Sequence, residues 1–418
     1  MYGEIITIGD ELISGRTLDL NARYAADRLT ASGLRVTRIT SVGDNQITVS
    51  KALAKALETS RFVIVTGGLG PTDDDMTNEI VASALNRSLS INKHLLKQIE
   101  IYLKAKGMAM TPAIKKMAHL PEGSEILHPD GLMCGCSIVE KDVRLYFLPG
   151  VPDQMSHLLD NFVLPELLSV YETLPAVGQR ILKLYGVTEP EIAEALKERV
   201  NNTGNVVLGF YPHFPENHII LSLNAKNEST VKKELDRVEN QIRKLLGVFI
   251  FSSDHQDMEE IVGQVLLEKG MTIAVAESCT GGLIGHRLTN VPGSSAYFQG
   301  GVVVYSNQAK TNLLNVSPET IETYGAVSEC TVREMVRGVQ KRFDTDLGLA
   351  VTGIAGPDGG SAEKPVGTVH IGLTAGDKIL SSKYQFWGSR KQIKMETALM
   401  ALDWVRRYLN GNTFLPGI

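Results

Sequence analysis

Short apolar runs alternate with amphipathic stretches through the first 170 or so residues, and this alternation constrains the fold most strongly. EIITIG (4–9) is an apolar run ending in glycine, and NARYAADRLTASG (21–33) has helical spacing with Gly33 placed as its C-cap. LRVTRITSVG reads as a second strand, VSKALAKALETS as a second helix, RFVIVTGG as a buried strand and NEIVASALN as a further helix. VRLYFLPG (143–150) is another strand, followed by the helical stretch DQMSHLLDNFVLPELLSV. Strict β/α alternation implies a parallel sheet covered by helices on both faces.

At 418 residues the chain is too long for one core, and about 150 residues per domain gives two or three. The pattern changes near residue 175. RILKLYGV, PEIAEALKERV, VVLGFYPHF, NHIILSLNAK, a long helix from about Thr230 to Leu246 and VFIFSS spell βαββαβ, the size of a small α+β unit. A polar segment, FSSDHQDMEE, links it to a third unit that returns to α/β layering. That unit runs from the helix MEEIVGQVLLEKG and the strand MTIAVAES, through the strands GGVVVYS, DLGLAVTG and GTVHIGLTA, to a final helix from about Arg390 to Leu409. The expected domains are residues 1–172, 176–252 and 256–413.

The net charge of -5 argues against a nucleic-acid binder that works by bulk charge. Cys134, Cys136, Cys279 and Cys330 form no C-x-x-C pair and no histidines cluster with them, so neither a zinc site nor a disulfide framework is expected. The start MYGEIITIGDEL carries no basic leader or cleavage site, and no run reaches about 18 apolar residues. A cytoplasmic protein is the expectation.

Three segments of the third unit carry chemistry. AESCTGGLIG (276–285) follows a strand and opens a helix, where amides eased by Gly281 and Gly282 could hold an anion or oxyanion beside Ser278 and Cys279, both possible nucleophiles. Ser278 or Thr280 could equally serve only as a helix cap. In VVVYSNQAK (302–310), Ser306 or Asn307 can cap a helix whose first turn holds Lys310. A desolvated ammonium at the positive helix end loses its proton more readily and can then act as general base, although most lysines are solvated surface groups. AVTGIAGPDGGS (350–361) is a glycine-rich loop after a buried strand, suited to a phosphate or to a long turn.

The first unit offers TIGDELISG (7–15), which places Asp10 and Glu11 after the first strand, and GGLGPTDDDMT (67–77), which places Asp73, Asp74 and Asp75 where a helix begins. Glycine loops can cradle phosphate, and carboxylates suit a hard cation bridging to phosphate oxygens. Thr72 with Asp75 also fits a capping box. RFVIVTGGLGPTDDD (61–75) and LGLAVTGIAGPDGGS (347–361) share a plan, an apolar strand entering a Thr-Gly and Gly-Pro turn, without implying duplication.

AESCTGG, YSNQAK and TGIAGPDGGS together resemble the C-terminal domain of the competence/damage-inducible CinA family, which is similar to the PncC nicotinamide-mononucleotide amidohydrolases. The resemblance implies that Ser278 is the nucleophile, Lys310 its base and Tyr305 an assisting group. The implied reaction converts nicotinamide mononucleotide and water to nicotinate mononucleotide and ammonia, with no metal. The substrate would lie against Glu277, Thr280, Gly281, Gly282, Asn307, Thr352, Gly353, Asp358 and Gly360. Cys279 remains a rival nucleophile by residue type alone.

GDEL and GGLGPTDDD, with TPAIKKMAHLPEG (111–123) and LPGVP (148–152), resemble the family's N-terminal molybdopterin-binding-like domain. This implies a metal-dependent ADP-ribose pyrophosphatase. The nucleotide would sit on Gly9, Asp10, Glu11, Gly67, Gly68, Gly70, Thr72 and Asp73, and a divalent cation (Mg, Mn or Co) on Asp10, Asp74 and Asp75. The implied fold is a three-layer α/β domain, a small α+β KH-like domain and a C-terminal α/β domain. The middle unit has no GXXG loop flanked by basic residues, so RNA binding is not expected. The expected partners are small nucleotides (nicotinamide mononucleotide, ADP-ribose) and a second copy in a homodimer, with no membrane and no nucleic acid. Two other readings stand beside this one: a non-catalytic nucleotide-binding protein linked to competence or DNA damage, and a molybdopterin-handling protein.

Overall fold

The computed structural model describes residues 1–129, 131, 134–170, 176–197, 200, 203–375 and 378–411. They form two compact units, Met1–Gly178 with Asn224–Val231, and Gln179–Leu223 with the chain from Lys232 onward.

The first unit is built on the strands β1 (Tyr2–Ile8), β2 (Arg35–Val42) and β3 (Phe62–Thr66), and on the helices α1 (Leu20–Ala31), α2 (Gln46–Thr59) and α3 (Thr77–Ala84). A small pair, β4 (Leu89–Ile91) with β5 (His119–Pro121), precedes β6 (Glu125–Ile126), β7 (Cys136–Glu140) and β8 (Val143–Leu148). The main sheet has the order β2-β1-β3-β8-β7-β6. Its first four strands are parallel, as the alternation predicts, and β7 and β6 add an antiparallel edge. All five residues of β3 are buried, because helices cover both faces. Ile6, Val63 and Val65 pack with Val49 and Leu53 of α2 and Ile80 of α3. Ile5, Phe62 and Ile64 pack on the other face with Ala25 and Leu29 of α1. α3 begins at Thr77, later than the sequence places it, because residues 72–75 close a separate turn: the Asp75 N–H donates to the Thr72 carbonyl.

The middle unit follows the predicted βαββαβ order: β9 (Ala176–Leu184), α4 (Glu189–Lys197), β10 (Val207–His213), β11 (Glu216–Ala225), α5 (Glu228–Leu246) and β12 (Ile250–Ser252). Its sheet order is β10-β11-β9-β12.

The C-terminal half is built mainly on α6 (Met258–Lys269), β13 (Ile273–Glu277), α7 (Leu283–Thr289), β14 (Phe298–Val303), α8 (Asn307–Leu314), α9 (Glu329–Phe343), β15 (Leu347–Gly353), β16 (Thr368–Ala375), β17 (Lys378–Gln385) and α10 (Arg390–Leu409), with a short helix at Pro318–Tyr324. The order is β14-β13-β15-β16-β17. β14, β13 and β15 are parallel, while β16 and β17 run antiparallel. Ile273, Val275, Leu349 and Val351 face Val262 and Leu266 of α6 and Leu402 of α10. Ala274, Ala276 and Ala350 face Val332 and Val336 of α9. The chain leaves β13 for β14 on one side and returns to β15 on the other. The carboxyl end of β13 is therefore a topological switch point, and β1 is another in the first unit.

Candidate active site

Ser278 stands immediately after β13, at that switch point. Its N–H donates to the Val351 carbonyl at 3.1 Å, which fixes the loop to β15. The loop then turns sharply: the Gly281 N–H donates to the Ser278 carbonyl, and Gly281 and Gly282 take φ values of +63° and +95° that only glycine adopts without strain.

Lys310 reaches the same place from α8. Of the two caps the sequence offers, Ser306 and Asn307, Ser306 is the one used, accepting from the Ala309 N–H at 3.1 Å, and Lys310 falls in the helix's first turn. The Lys310 side chain is 1% exposed and Ser278 is 7% exposed. Lys310 Nζ and Ser278 Oγ are 3.1 Å apart. Nζ also donates to the carbonyl oxygens of Val304 at 2.9 Å and Tyr305 at 3.4 Å. An ammonium fills these contacts with three N–H bonds. A neutral amine fills them with two, and its lone pair accepts from the serine hydroxyl. The site therefore suits a group that takes up and returns a proton. Burial pushes the Lys310 amine below its ordinary value, since no carboxylate pairs with it among the described residues.

Glu277 plays a part that the residue pattern hides. It is 1% exposed, and its carboxylate accepts from the N–H groups of Gly282 at 3.0 Å, Ile284 at 3.1 Å and Gly285 at 2.8 Å. The start of α7 is thus filled by the chain's own carboxylate. The Gly281 and Gly282 amides, expected to hold an anion or oxyanion, are both already bonded, which corrects that expectation. Among the described residues the amides of Cys279 and Thr280 make no backbone hydrogen bond. The Thr280 hydroxyl is buried without a partner among the described residues. Burial pushes the Cys279 thiol up to about 12, which leaves almost no thiolate near neutral pH.

The remaining expected residues are distributed unevenly. The Tyr305 phenol is 60% exposed and accepts from Arg390 Nη2 at 2.7 Å, so it is its carbonyl, not its hydroxyl, that touches Lys310. Arg390 Nη1 donates to the Gly356 carbonyl at 2.6 Å. This arginine joins the YSNQAK segment to the 350–361 loop, a role no local pattern signals. Thr352 is buried and donates to the Ala326 carbonyl at 2.8 Å. Gly353 is needed where the strands approach, since a Cβ there would lie 2.6 Å from Val369 Cγ2. Asn307, Asp358 and Gly360 are exposed. The sequence also gives no sign of His370 on β16, which pairs in register with Thr352 and is buried with Nδ1 unpartnered among the described residues. Burial, with Lys383 nearby, pushes it down to about 4, so it is neutral.

In the first unit, the loops after β1 and β3 flank a cavity of about 490 Å³ lined by Gly9, Glu11, Asp44, Gly68, Gly70 and Asp74, among others. Gly67 has φ +109°, and a Cβ there would lie 2.1 Å from the Ile8 carbonyl oxygen, so only glycine fits against β1. Thr77, unflagged in the sequence, donates to the Gly67 carbonyl at 2.9 Å and holds the loop. Asp10 and Asp44 exchange bonds: Asp10 N–H donates to Asp44 Oδ2 at 2.9 Å and Asp44 N–H to Asp10 Oδ1 at 3.2 Å. Burial, then the charges of Asp10, Glu11 and Asp74, push the Asp44 carboxyl above its ordinary value. Asp75 is committed to its own turn, accepting from the Thr72 N–H at 2.9 Å. Asp10, Asp74 and Asp75 do not come together as a ligand set. Among the described residues no three acidic, histidine or cysteine side chains are grouped to hold a metal. Gly9 and Gly70 are turned against the carboxylates of Glu11 and Asp75, and Asp73 is exposed outside the cavity lining. No described helix is long and apolar enough to cross a membrane.

Known proteins agree with this layout. Residues 4–169 match the family description "Probable molybdopterin binding domain". Residues 179–252 match the damage-inducible protein CinA KH domain, and residues 255–409 the CinA C-terminal domain. A CinA-like protein of Desulfotalea psychrophila is 41% identical over 408 residues, covering 97% of this chain and 98% of that protein. A CinA-like protein of Citrifermentans bemidjiense is 40% identical, covering 99% of each. The crystal structure of competence/damage inducible protein CihA from Agrobacterium tumefaciens is 41% identical, covering 37% of this chain and 96% of that one, with a TM-score of 0.36. With its molybdopterin-binding-like, KH and C-terminal domains in sequence order, the chain belongs to the CinA family.

Proposed function

We propose that the C-terminal half hydrolyses the carboxamide of nicotinamide mononucleotide, giving nicotinate mononucleotide and ammonia. One observation carries this reading: a buried serine hydroxyl 3.1 Å from a buried lysine amine that has no carboxylate partner among the described residues. A solvated lysine would stay charged, whereas this one is placed to accept the serine proton.

The steps follow from that contact. Neutral Lys310 takes the proton from Ser278 Oγ as the oxygen attacks the carboxamide carbon. The developing oxyanion turns toward the Cys279 and Thr280 amides, the donors without a backbone partner in that loop. Lys310 returns the proton to the departing nitrogen, which leaves as ammonia. Water, deprotonated by the neutral amine, then cleaves the ester and regenerates Ser278. The Val304 and Tyr305 carbonyls hold Nζ in place through both half-reactions. The Arg390–Tyr305 bond positions the loop rather than moving the proton. The test is ammonia release from nicotinamide mononucleotide by the full chain. A wild type that releases none, while binding the nucleotide, overturns the reading in favour of a non-catalytic binding protein.

A second activity has its own support. The first unit's cavity, about 490 Å³ at the carboxyl ends of β1 and β3, has the size of a small-nucleotide site, and we read it as an ADP-ribose pyrophosphatase site. Its crowded carboxylates would repel a pyrophosphate unless a cation intervened. These carboxylates are not grouped to hold a metal by themselves, so a divalent ion would have to arrive on the pyrophosphate, where it would neutralise phosphate charge facing Glu11, Asp44 and Asp74. Hydrolysis of ADP-ribose, lost in Asp44→Asn, checks this reading.

A further inference from the structure

The middle unit supplies no group to the chemistry above, yet one edge of it meets α10. β12 pairs with β9, and the Tyr185 N–H, just past β9, donates to the Phe249 carbonyl at 3.0 Å, which ties the two residues together. Three contacts run from that edge to α10. The Tyr185 hydroxyl donates to a Glu396 carboxylate oxygen at 3.1 Å. Arg406 Nη2 donates to the Val248 carbonyl at 2.9 Å, and the Arg407 guanidinium lies over the Phe249 ring, 5.5 Å from its centroid. Tyr185 and Phe251 also join the core formed by Val262, Leu266, Leu402 and Val405.

Burial makes these contacts necessary. Glu396, Asp403 and Arg407 stand at i, i+7 and i+11, on one face of the helix. Asp403 and Arg407 are 0% exposed and Arg406 is 4% exposed. One carboxylate serves both arginines: Asp403 Oδ1 accepts from Arg406 Nε at 2.8 Å and Nη2 at 2.6 Å, and Oδ2 accepts from Arg407 Nε at 2.6 Å. The two guanidinium groups therefore keep one positive charge in excess. Arg407 Nη1 and Nη2 are buried with no hydrogen-bond partner among the described residues. A buried charge is costly unless another group meets it. The Val248 carbonyl and the face of the Phe249 ring, both from the middle unit, meet this one.

The helix links that edge to the reacting groups. α10 is one continuous helix of 20 residues, and Arg390 begins it roughly 9 Å along the axis from Glu396. Arg390 donates to the Tyr305 hydroxyl and to the Gly356 carbonyl, and the Tyr305 carbonyl accepts from Lys310 Nζ.

We propose that the middle unit is a cradle for α10, in which Tyr185 and Phe249 are positioning residues that set the helix and, through Arg390, the segments beside Ser278. The cradle stands on the contacts themselves; its effect on turnover also rests on the amidohydrolase reading.

The test uses the full chain with Tyr185→Phe, Phe249→Leu and Phe249→Tyr, the last of which keeps a ring under the guanidinium. Tyr211→Ser, at a site 56% exposed on the same unit, is the control. Amide hydrogen exchange is followed over residues 391–400, and ammonia release from nicotinamide mononucleotide gives kcat and KM. Loss of the Phe249 ring or of the Tyr185 hydroxyl predicts about tenfold faster exchange in α10. KM should rise about fivefold or more while kcat stays within about threefold, because the segments beside Ser278 shift but the Ser278–Lys310 pair is kept. Phe249→Tyr and Tyr211→Ser should stay within about twofold of the wild type in every readout. A purely structural role would instead lower kcat with the amount of folded protein and leave KM alone. Unchanged exchange in both Tyr185→Phe and Phe249→Leu overturns the cradle, and faster exchange at unchanged KM overturns the positioning role. If the wild type releases no ammonia while exchange in α10 still accelerates in those two variants, the cradle stands and the amidohydrolase reading falls.

Discussion

If Ser278 and Lys310 act as one unit, removing either should cost nearly as much as removing both. The structure supplies the reason. Lys310 Nζ is the basic group in contact with Ser278 Oγ, at 3.1 Å, and its other contacts are two carbonyl oxygens that cannot accept a proton near neutral pH. Without the amine, the hydroxyl keeps its proton; without the hydroxyl, the amine has nothing to activate. Each of Ser278→Ala and Lys310→Ala should lower kcat by roughly 10⁴-fold, about 5.4 kcal/mol of barrier. Independent effects would multiply to roughly 10⁸-fold, about 11 kcal/mol. The double variant should instead stay within about tenfold of the worse single variant. The assay is ammonia release from nicotinamide mononucleotide at saturating substrate, with binding followed separately by calorimetry. Ser278→Ala should bind the nucleotide nearly as well as the wild type, since a methyl group still fits the loop. Retention of a tenth or more of the activity in either single variant refutes the reasoning, as does a double variant that multiplies the two losses.

Three further outcomes follow. Because burial lowers the Lys310 amine and the neutral form is the working base, kcat/KM should rise as pH increases through a value below that of ordinary lysine; a profile that falls over that limb assigns the base elsewhere. The same shift means that the unfolded chain holds more protons between the two values, so Lys310 lowers stability at neutral pH and the cost is relieved as pH rises toward the ordinary lysine value; a urea midpoint compared between wild type and Lys310→Met across that window checks the sign. Cys279, 4% exposed with its thiol pushed up to about 12, should resist thiol reagents at pH near 8 until the protein is unfolded, and Cys279→Ala should keep activity within about threefold. Glu277→Gln presents an NH₂ group where the carboxylate accepts from Gly282, Ile284 and Gly285, and should lower unfolding free energy by about 2–4 kcal/mol in urea titration; an unchanged midpoint contradicts the helix-filling role.

Much of the layout is legible in the chain because it is local. The alternation of apolar runs with amphipathic stretches determined the parallel cores around β1–β3 and β13–β15, since a strand covered on both faces is apolar along most of its length. The change of rhythm near residue 175 marked the βαββαβ unit, and the Ser306-Asn307 pair marked the start of α8 with Lys310 in its first turn. Three quoted segments sufficed for the family resemblance.

Contacts between distant segments were decided only by the tertiary fold. An amine on α8 meets a hydroxyl after β13 because the chain crosses to opposite sides of that strand, a fact carried by sheet order and not by spacing. A glycine-rich turn at a helix start advertises an anion site, but Glu277, only one residue before Ser278, folds back to fill it; whether a carboxylate turns inward depends on packing around it. The acidic run 73–75 looks like a ligand set, yet Asp75 bonds to Thr72 and Asp73 lies outside the cavity lining, while Asp44, from a loop about 30 residues away in sequence, joins Glu11 and Asp74 there. Arg390 and Lys394 read as ordinary charges on an amphipathic helix, and only the position of α10 joins Arg390 to Tyr305 and Gly356 and brings Lys394 Nζ beside Gly281. Periodicity records which face of an element is buried, because burial acts on each segment separately. Which side chains finally touch depends on how several segments share one space, and that is settled by the whole chain at once.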